Sequence, residues 1–94
     1  MLVENIIKSG KATIVDVRAP EEFSFGAVSG SINVPLNTLE SNFEKLKSLP
    51  KPIVLCCASC TRSGVATALL QRNNFDEVYN GGSWLYVNTI LKTK

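Results

Sequence analysis

Short apolar clusters separated by Gly, Pro, Ser and Asn run along this chain, and their period changes from one segment to the next. Leu2, Val3, Ile6 and Ile7 recur at helical spacing and stop at Gly10, a residue suited to the left-handed position after a helix. The run from Ala12 to Asp16 is β-branched and predicts a buried strand. Pro20-Glu-Glu-Phe23 predicts one helical turn, with Pro at its start and acids in its first turn. Residues 26–35 are rich in Gly, Ser and Asn and predict irregular structure, with Ile32 to Val34 touching the core. Asn37 followed by Glu40 has the spacing of a capping box, and Leu39, Phe43 and Leu46 extend it as an apolar stripe until Pro50.

Ile53 to Cys56 predicts a second buried strand. Val65, Ala66, Ala68, Leu69 and Leu70 predict a buried helix that ends near Asn73 and Asn74. Glu77 to Tyr79 predicts a third short strand, Asn80 to Gly82 a tight turn, and Trp84, Val87, Asn88 and Leu91 one face of a final helix. Apolar strands alternating with helices predict an α/β fold, a parallel sheet covered on both sides. In such sheets active sites lie beyond the carboxyl ends of the strands. Asp16-Val-Arg18 and the segment 56–63 both fall at such ends.

Ninety-four residues suit one domain, taken as residues 1–94. The net charge of +2 is small and the lysines are dispersed, with Lys45, Lys47 and Lys51 read as a solvated face. No nucleic-acid partner is expected. No apolar run approaches the ~20 residues of a membrane span, so no membrane association is expected either. Glu4 and Asn5 stand where a secretory signal needs basic and then apolar residues. Three cysteines within five positions cannot staple a domain. The expected setting is cytoplasmic, with reduced thiols and a monomeric chain.

The chemistry concentrates in Cys56-Cys57-Ala58-Ser59-Cys60-Thr61-Arg62-Ser63. A thiol at a strand end, a small-residue loop closed by Arg, and a helix start together make a place for an anion. A thiol held there ionises more easily than at its reference value of about 8.5. The chain has no histidine, so Cys56, Cys57 or Cys60 works without an imidazole. Three clustered thiols with no histidine and no second Cys pair leave a zinc site incomplete, and no metal or cofactor is expected. Asp16 is expected to orient an arginine or cap the loop, because a carboxylate facing a thiolate would raise its pKa. Arg18 has two readings, a substrate contact or an ion pair with Glu21 or Glu22. Trp84 is expected in the core with one edge near the site.

Asp16-Val-Arg18, Glu22-Phe23, the stretch from Gly26 to Pro35, the loop ending in Arg62-Ser63, and Gly81-Gly82 with Trp84 resemble a single-domain rhodanese. The resemblance runs along nearly the whole chain. It implies a mostly parallel five-stranded sheet with helices on both faces. It also implies sulfur transfer through a cysteine persulfide, from a small anionic donor such as thiosulfate to cyanide or a thiol. The family's loop has cysteine first and arginine sixth, which makes Cys57 the nucleophile. Ala58, Ser59, Cys60, Thr61, Arg62 and Ser63, with Arg18, then bind substrate, and Asp16 and Glu22 support the site. Cys60 stands where the family often has glycine, and Ala27 where it often has histidine.

Sulfite leaves thiosulfate as a stable anion and needs no general acid, so a site without histidine suits this reaction. Two alternatives stay open. The domain could act as a sulfur carrier or redox sensor loaded by a partner protein's persulfide. Alternatively, Cys56 to Arg62 fits the cysteine, five residues, arginine pattern of cysteine phosphatases. Cys57-Ala-Ser-Cys60 further has dithiol spacing, with Cys60 either resolving a Cys57 persulfide or standing by.

Overall fold

The computed structural model describes residues 2–59 and 61–92. Four parallel strands, β1 (Thr13–Asp16), β2 (Ile32–Asn33), β3 (Ile53–Cys57) and β4 (Val78–Ser83), form one sheet in the order β2-β1-β3-β4. The helices are α1 (Val3–Lys8), α2 (Pro20–Phe25), α3 (Phe43–Lys47), α4 (Thr61–Arg72) and α5 (Trp84–Lys92).

β3 is buried along its whole length because both of its faces are covered. Its residues alternate between two cores. Ile53, Leu55 and Cys57 join Val15, Val17, Leu46, Ala66 and Leu70 on the face covered by α3 and α4. Val54 and Cys56 join Ile6, Ile7, Ile14, Val87 and Ile90 on the face covered by α1 and α5. This period of two assigns neighbouring residues to opposite layers.

Several expectations are corrected. The sheet has four strands among the described residues rather than the five the resemblance implies, while Val3 to Lys8 forms helix α1 as its spacing predicts. Asn80 to Gly82 is not a turn: β4 continues through it to Ser83, with a register shift opposite Leu55 and Cys56. Gly81 is the extra residue, and a Cβ there would lie 2.6 Å from Val54 Cγ1 and 3.0 Å from Val87 Cγ2. Its role is close approach within the core. Finally, the Asn37–Glu40 capping box does not form. Two 3-10 turns, Leu36–Thr38 and Glu40–Asn42, precede a short α3, and neither turn has a side-chain cap. The Thr38 hydroxyl donates to Pro35 O and the Asn42 amide to Thr38 O, local bonds that compete with a regular helix start.

β2 was expected to be irregular and is a two-residue strand pairing Ile32 with Val15 and Asn33 with Asp16. Its neighbour Val34 donates its N–H to Asp16 O.

Candidate active site

β1 and β3 end side by side, with Asp16 opposite Cys56. Asp16 is fully buried and holds Arg18 in a forked ion pair. Nε of Arg18 donates to both carboxylate oxygens at 2.9 and 3.0 Å, Nη2 to Oδ2 at 2.7 Å, and the Arg18 backbone N–H to Oδ1 at 3.0 Å. Nη2 also donates to Gly26 O at 2.7 Å, and the guanidinium stacks 4.8 Å over the Trp84 ring. The bond to Asp16 raises the Arg18 pKa above its ordinary value. Arg18 is 4% exposed. Of its two readings the structure shows an ion pair, and the partner is Asp16, not Glu21 or Glu22. The arginine beside Asp16 is Arg18.

Cys56 is sealed in the layer with α1 and α5. Burial, with the nearby Asp16 carboxylate, pushes its thiol up to about 12, against a smaller lowering effect of Arg18. This thiol stays protonated.

Cys57 is also buried, but its surroundings differ. Its Sγ donates to Ser63 Oγ at 3.3 Å. Burial pushes the thiol up, while the Ser63 hydroxyl and the backbone N–H groups of Ser63, Ser59 and Arg62 pull it down and prevail. Two of those amides belong to the first turn of α4, where N–H groups have no helical partner and favour an anion. The net direction is downward, opposite to that of its neighbour.

Arg62 turns its guanidinium outward to Glu22, with contacts of 2.7 and 3.0 Å. The Arg62 bond, followed by the Ala19 N–H, holds the Glu22 carboxyl down at about 2. The two side chains are 37% and 38% exposed. Arg62 also borders an open groove of about 430 Å³ formed with Val17, Ala19, Pro35, Leu36 and Asn37. Glu22 thereby ties α2 to the cysteine loop.

The structure therefore brings Cys57, Ser59, Arg62 and Ser63 together, and places Arg18 and Asp16 by Cys56 under Trp84. Ala58 and Thr61 are exposed loop and helix-start positions. Cys60 lies outside the described residues, and its proposed roles with it. Among the described residues, no group of three or more His, Cys, Asp or Glu side chains is placed to hold a metal ion. None of their helices is long and apolar enough to cross a membrane. Asn80 escaped the sequence reading: its Oδ1 accepts the Ser63 hydroxyl at 2.6 Å. As the polar residue before Gly-Gly it reads as a turn, and nothing local ties it to the cysteine loop.

A family model described as "Rhodanese-like domain" matches residues 2–84. An uncharacterized protein of Bacillus subtilis, YqhL, is 37% identical over 81 residues, covering 84% of this chain. The chain spans 64% of that relative's length. Thiosulfate sulfurtransferase GlpE of Ectopseudomonas mendocina is 32% identical over 74 residues, covering 79% of this chain and 67% of the relative. A solved structure titled "rhodanese with anions from E. coli" superposes with a TM-score of 0.73 at 25% identity, covering 80% of this chain and 89% of the other.

Proposed function

This chain belongs to the rhodanese-like domain family, and from that premise we propose that it is a sulfurtransferase whose Cys57 carries sulfur as a persulfide. One observation carries the choice of residue. Of the two described thiols, Cys57 is the one that bonds the Ser63 hydroxyl, meets backbone amide donors and is drawn below its ordinary pKa. The phosphatase alternative needs a Cys56 thiolate, and burial holds that thiol up at about 12.

In the proposed reaction the Cys57 thiolate attacks the outer sulfur of thiosulfate. The S–S bond of thiosulfate breaks, sulfite leaves with the bonding pair, and a Cys57 persulfide remains. A cyanide ion or an acceptor thiolate then attacks the outer sulfur of that persulfide, and Cys57 leaves as the thiolate that began the cycle. No proton is needed by the first leaving group, which suits a chain without histidine. The N–H groups of Ser59, Arg62 and Ser63 hold the negative sulfur in place. Cys57 has no exposed surface, so a donor must displace the atoms around it. That favours small donors with a terminal sulfur. A partner protein delivering a persulfide is the other source, and the proposed setting is the cytoplasm with the chain monomeric.

The test is incubation with thiosulfate followed by intact mass spectrometry. A mass gain of one sulfur atom is expected in the wild-type chain and in Cys56→Ser, and none in Cys57→Ser. Persistence of the adduct in Cys57→Ser, or its absence from every variant with both thiosulfate and a low-molecular-weight persulfide, overturns the proposal. Loading by the persulfide alone identifies a carrier instead of a thiosulfate enzyme.

A further inference from the structure

The hydrogen bonds behind Cys57 have a direction that can be deduced. A backbone N–H only donates, and the Gly82 N–H reaches Asn80 Oδ1 at 2.9 Å. That atom of Asn80 is therefore the carbonyl oxygen, an acceptor. The Ser63 hydroxyl lies 2.6 Å from the same oxygen and must donate to it. Ser63 has one hydroxyl proton, so toward Cys57 it presents a lone pair, and the 3.3 Å contact is a bond from S–H to Oγ. The site at rest is wired for a thiol.

We propose that Asn80 is a positioning residue for Cys57 that acts through Ser63: by holding the Ser63 proton it keeps the hydroxyl oxygen facing an S–H, and the Cys57 thiolate gains that proton as a hydrogen bond only when the hydroxyl turns away from Asn80. This rests on the reading of Cys57 as the reactive thiol. The Cys57 proton leaves to solvent, no bond to carbon or sulfur changes, and the Ser63 proton stays on its oxygen throughout. Ser63 pulls the thiol down by donating to sulfur, and in that act it competes with its own bond to Asn80. The backbone amides of Ser59, Arg62 and Ser63 pull the thiol down as well.

The fold builds this contact with some care. Asn80 sits at the register shift of β4, where Gly81 is inserted against Val54. Gly64, in the first turns of α4, leaves Asn80 room: a Cβ there would lie 3.4 Å from Nδ2. The charged and titratable neighbours of Cys57 come from other residues. Among the described residues they are Cys56 on the same strand, Arg62 of α4 with its partner Glu22 of α2, and the Asp16–Arg18 pair at the end of β1. An Asn80 substitution leaves all of them in place.

The experiment is the rate of Cys57 carboxamidomethylation by iodoacetamide as a function of pH, resolved by peptide mass. It is run on the full chain and needs no sulfur donor. Asn80→Ala releases the Ser63 hydroxyl to the thiolate, and the Cys57 midpoint is expected to fall by roughly one pH unit, the scale of one hydrogen bond to a charged group. Asn80→Asp keeps both acceptor bonds and adds a negative charge, so the midpoint is expected to rise. In a Ser63→Ala background, Asn80→Ala is expected to shift nothing, since the relay is already cut. Equal shifts of Asn80→Ala with and without Ser63, or a rise in Asn80→Ala, would overturn the proposal. If Asn80→Ala fails to fold, the near-isosteric Asn80→Asp carries the test, and no rise in its midpoint has the same overturning force. The thiosulfate adduct tests Cys57 as sulfur carrier separately, so failure of one reading is distinguishable from failure of the other.

Discussion

Cys56 points into the layer formed with α1 and α5, beside an ion pair that is already complete. Cys57, one residue later, points into the layer beneath α4, beside the Ser63 hydroxyl and amide donors that favour an anion. Both are fully buried, so exposure does not separate them. The neighbours do. A thiol beside a carboxylate that already has its arginine feels desolvation and negative charge; a thiol beneath a helix start feels donors. Strand alternation sends one thiol into apolar packing and the next toward hydrogen-bonding groups, so the position of a cysteine within its strand sets the surroundings of its sulfur.

The largest effect should come from the pair on the Cys56 side. Asp16→Ala leaves Arg18 buried without its carboxylate, and a loss of about 3–5 kcal/mol is expected in urea unfolding. The Cys56 thiol should also fall from about 12, since the carboxylate that raises it is gone while Arg18 remains. A loss well under that range would show that the pair does not anchor this side. Next is Gly81→Ala, which presses a methyl against Val54 and Val87 on the same face. Overpacking of this kind costs about 1–3 kcal/mol. The cost should shrink in a Val54→Ala background, which opens the space; an undiminished cost would place the strain elsewhere, for instance at Leu55 O, 3.2 Å away.

The smallest effect lies on the Cys57 side. Glu22 is held at about 2, below its ordinary 4.5, by Arg62. A group with a lowered native pKa adds stability above its unfolded value and loses it as pH falls toward the native one. The contribution is thus present at neutral pH and fades between about 4.5 and about 2. It is modest, because both partners are more than a third exposed and solvent screens them. Glu22→Gln should remove that part of the acid dependence of the urea midpoint and leave the rest. An unchanged pH slope would assign the dependence to other carboxylates.

Much of this was legible in the sequence where the determinants are local. β1 and β3 were bounded to within a residue, because continuous β-branched and apolar runs leave no other buried arrangement. Gly10 and Asn74 both adopt positive φ where helices were expected to end. The cysteine loop between strand and helix was equally visible. What escaped depends on partners far along the chain. β2 exists because Ile32 and Asn33 pair with β1. Gly81 is explained by Val54 and Val87, not by turn chemistry. Asn80 gains its meaning from Ser63, 17 residues earlier, and Glu22 from Arg62, 40 residues later. A side chain that completes a site from another strand carries no mark of it in its own neighbourhood.

Asn33 has a consequence of a different kind. Its amide nitrogen donates to both Asp16 O and Arg18 O at 3.0 Å, beside the Val34 N–H that also reaches Asp16 O. The strand at this edge of the sheet is only two residues long, and the Asn33 side chain ties it to the end of β1 and the bend that follows. An unpaired strand edge is a template for adding another chain. Here that edge is only two residues long, which makes this end of the sheet a poor seed for strand-by-strand aggregation.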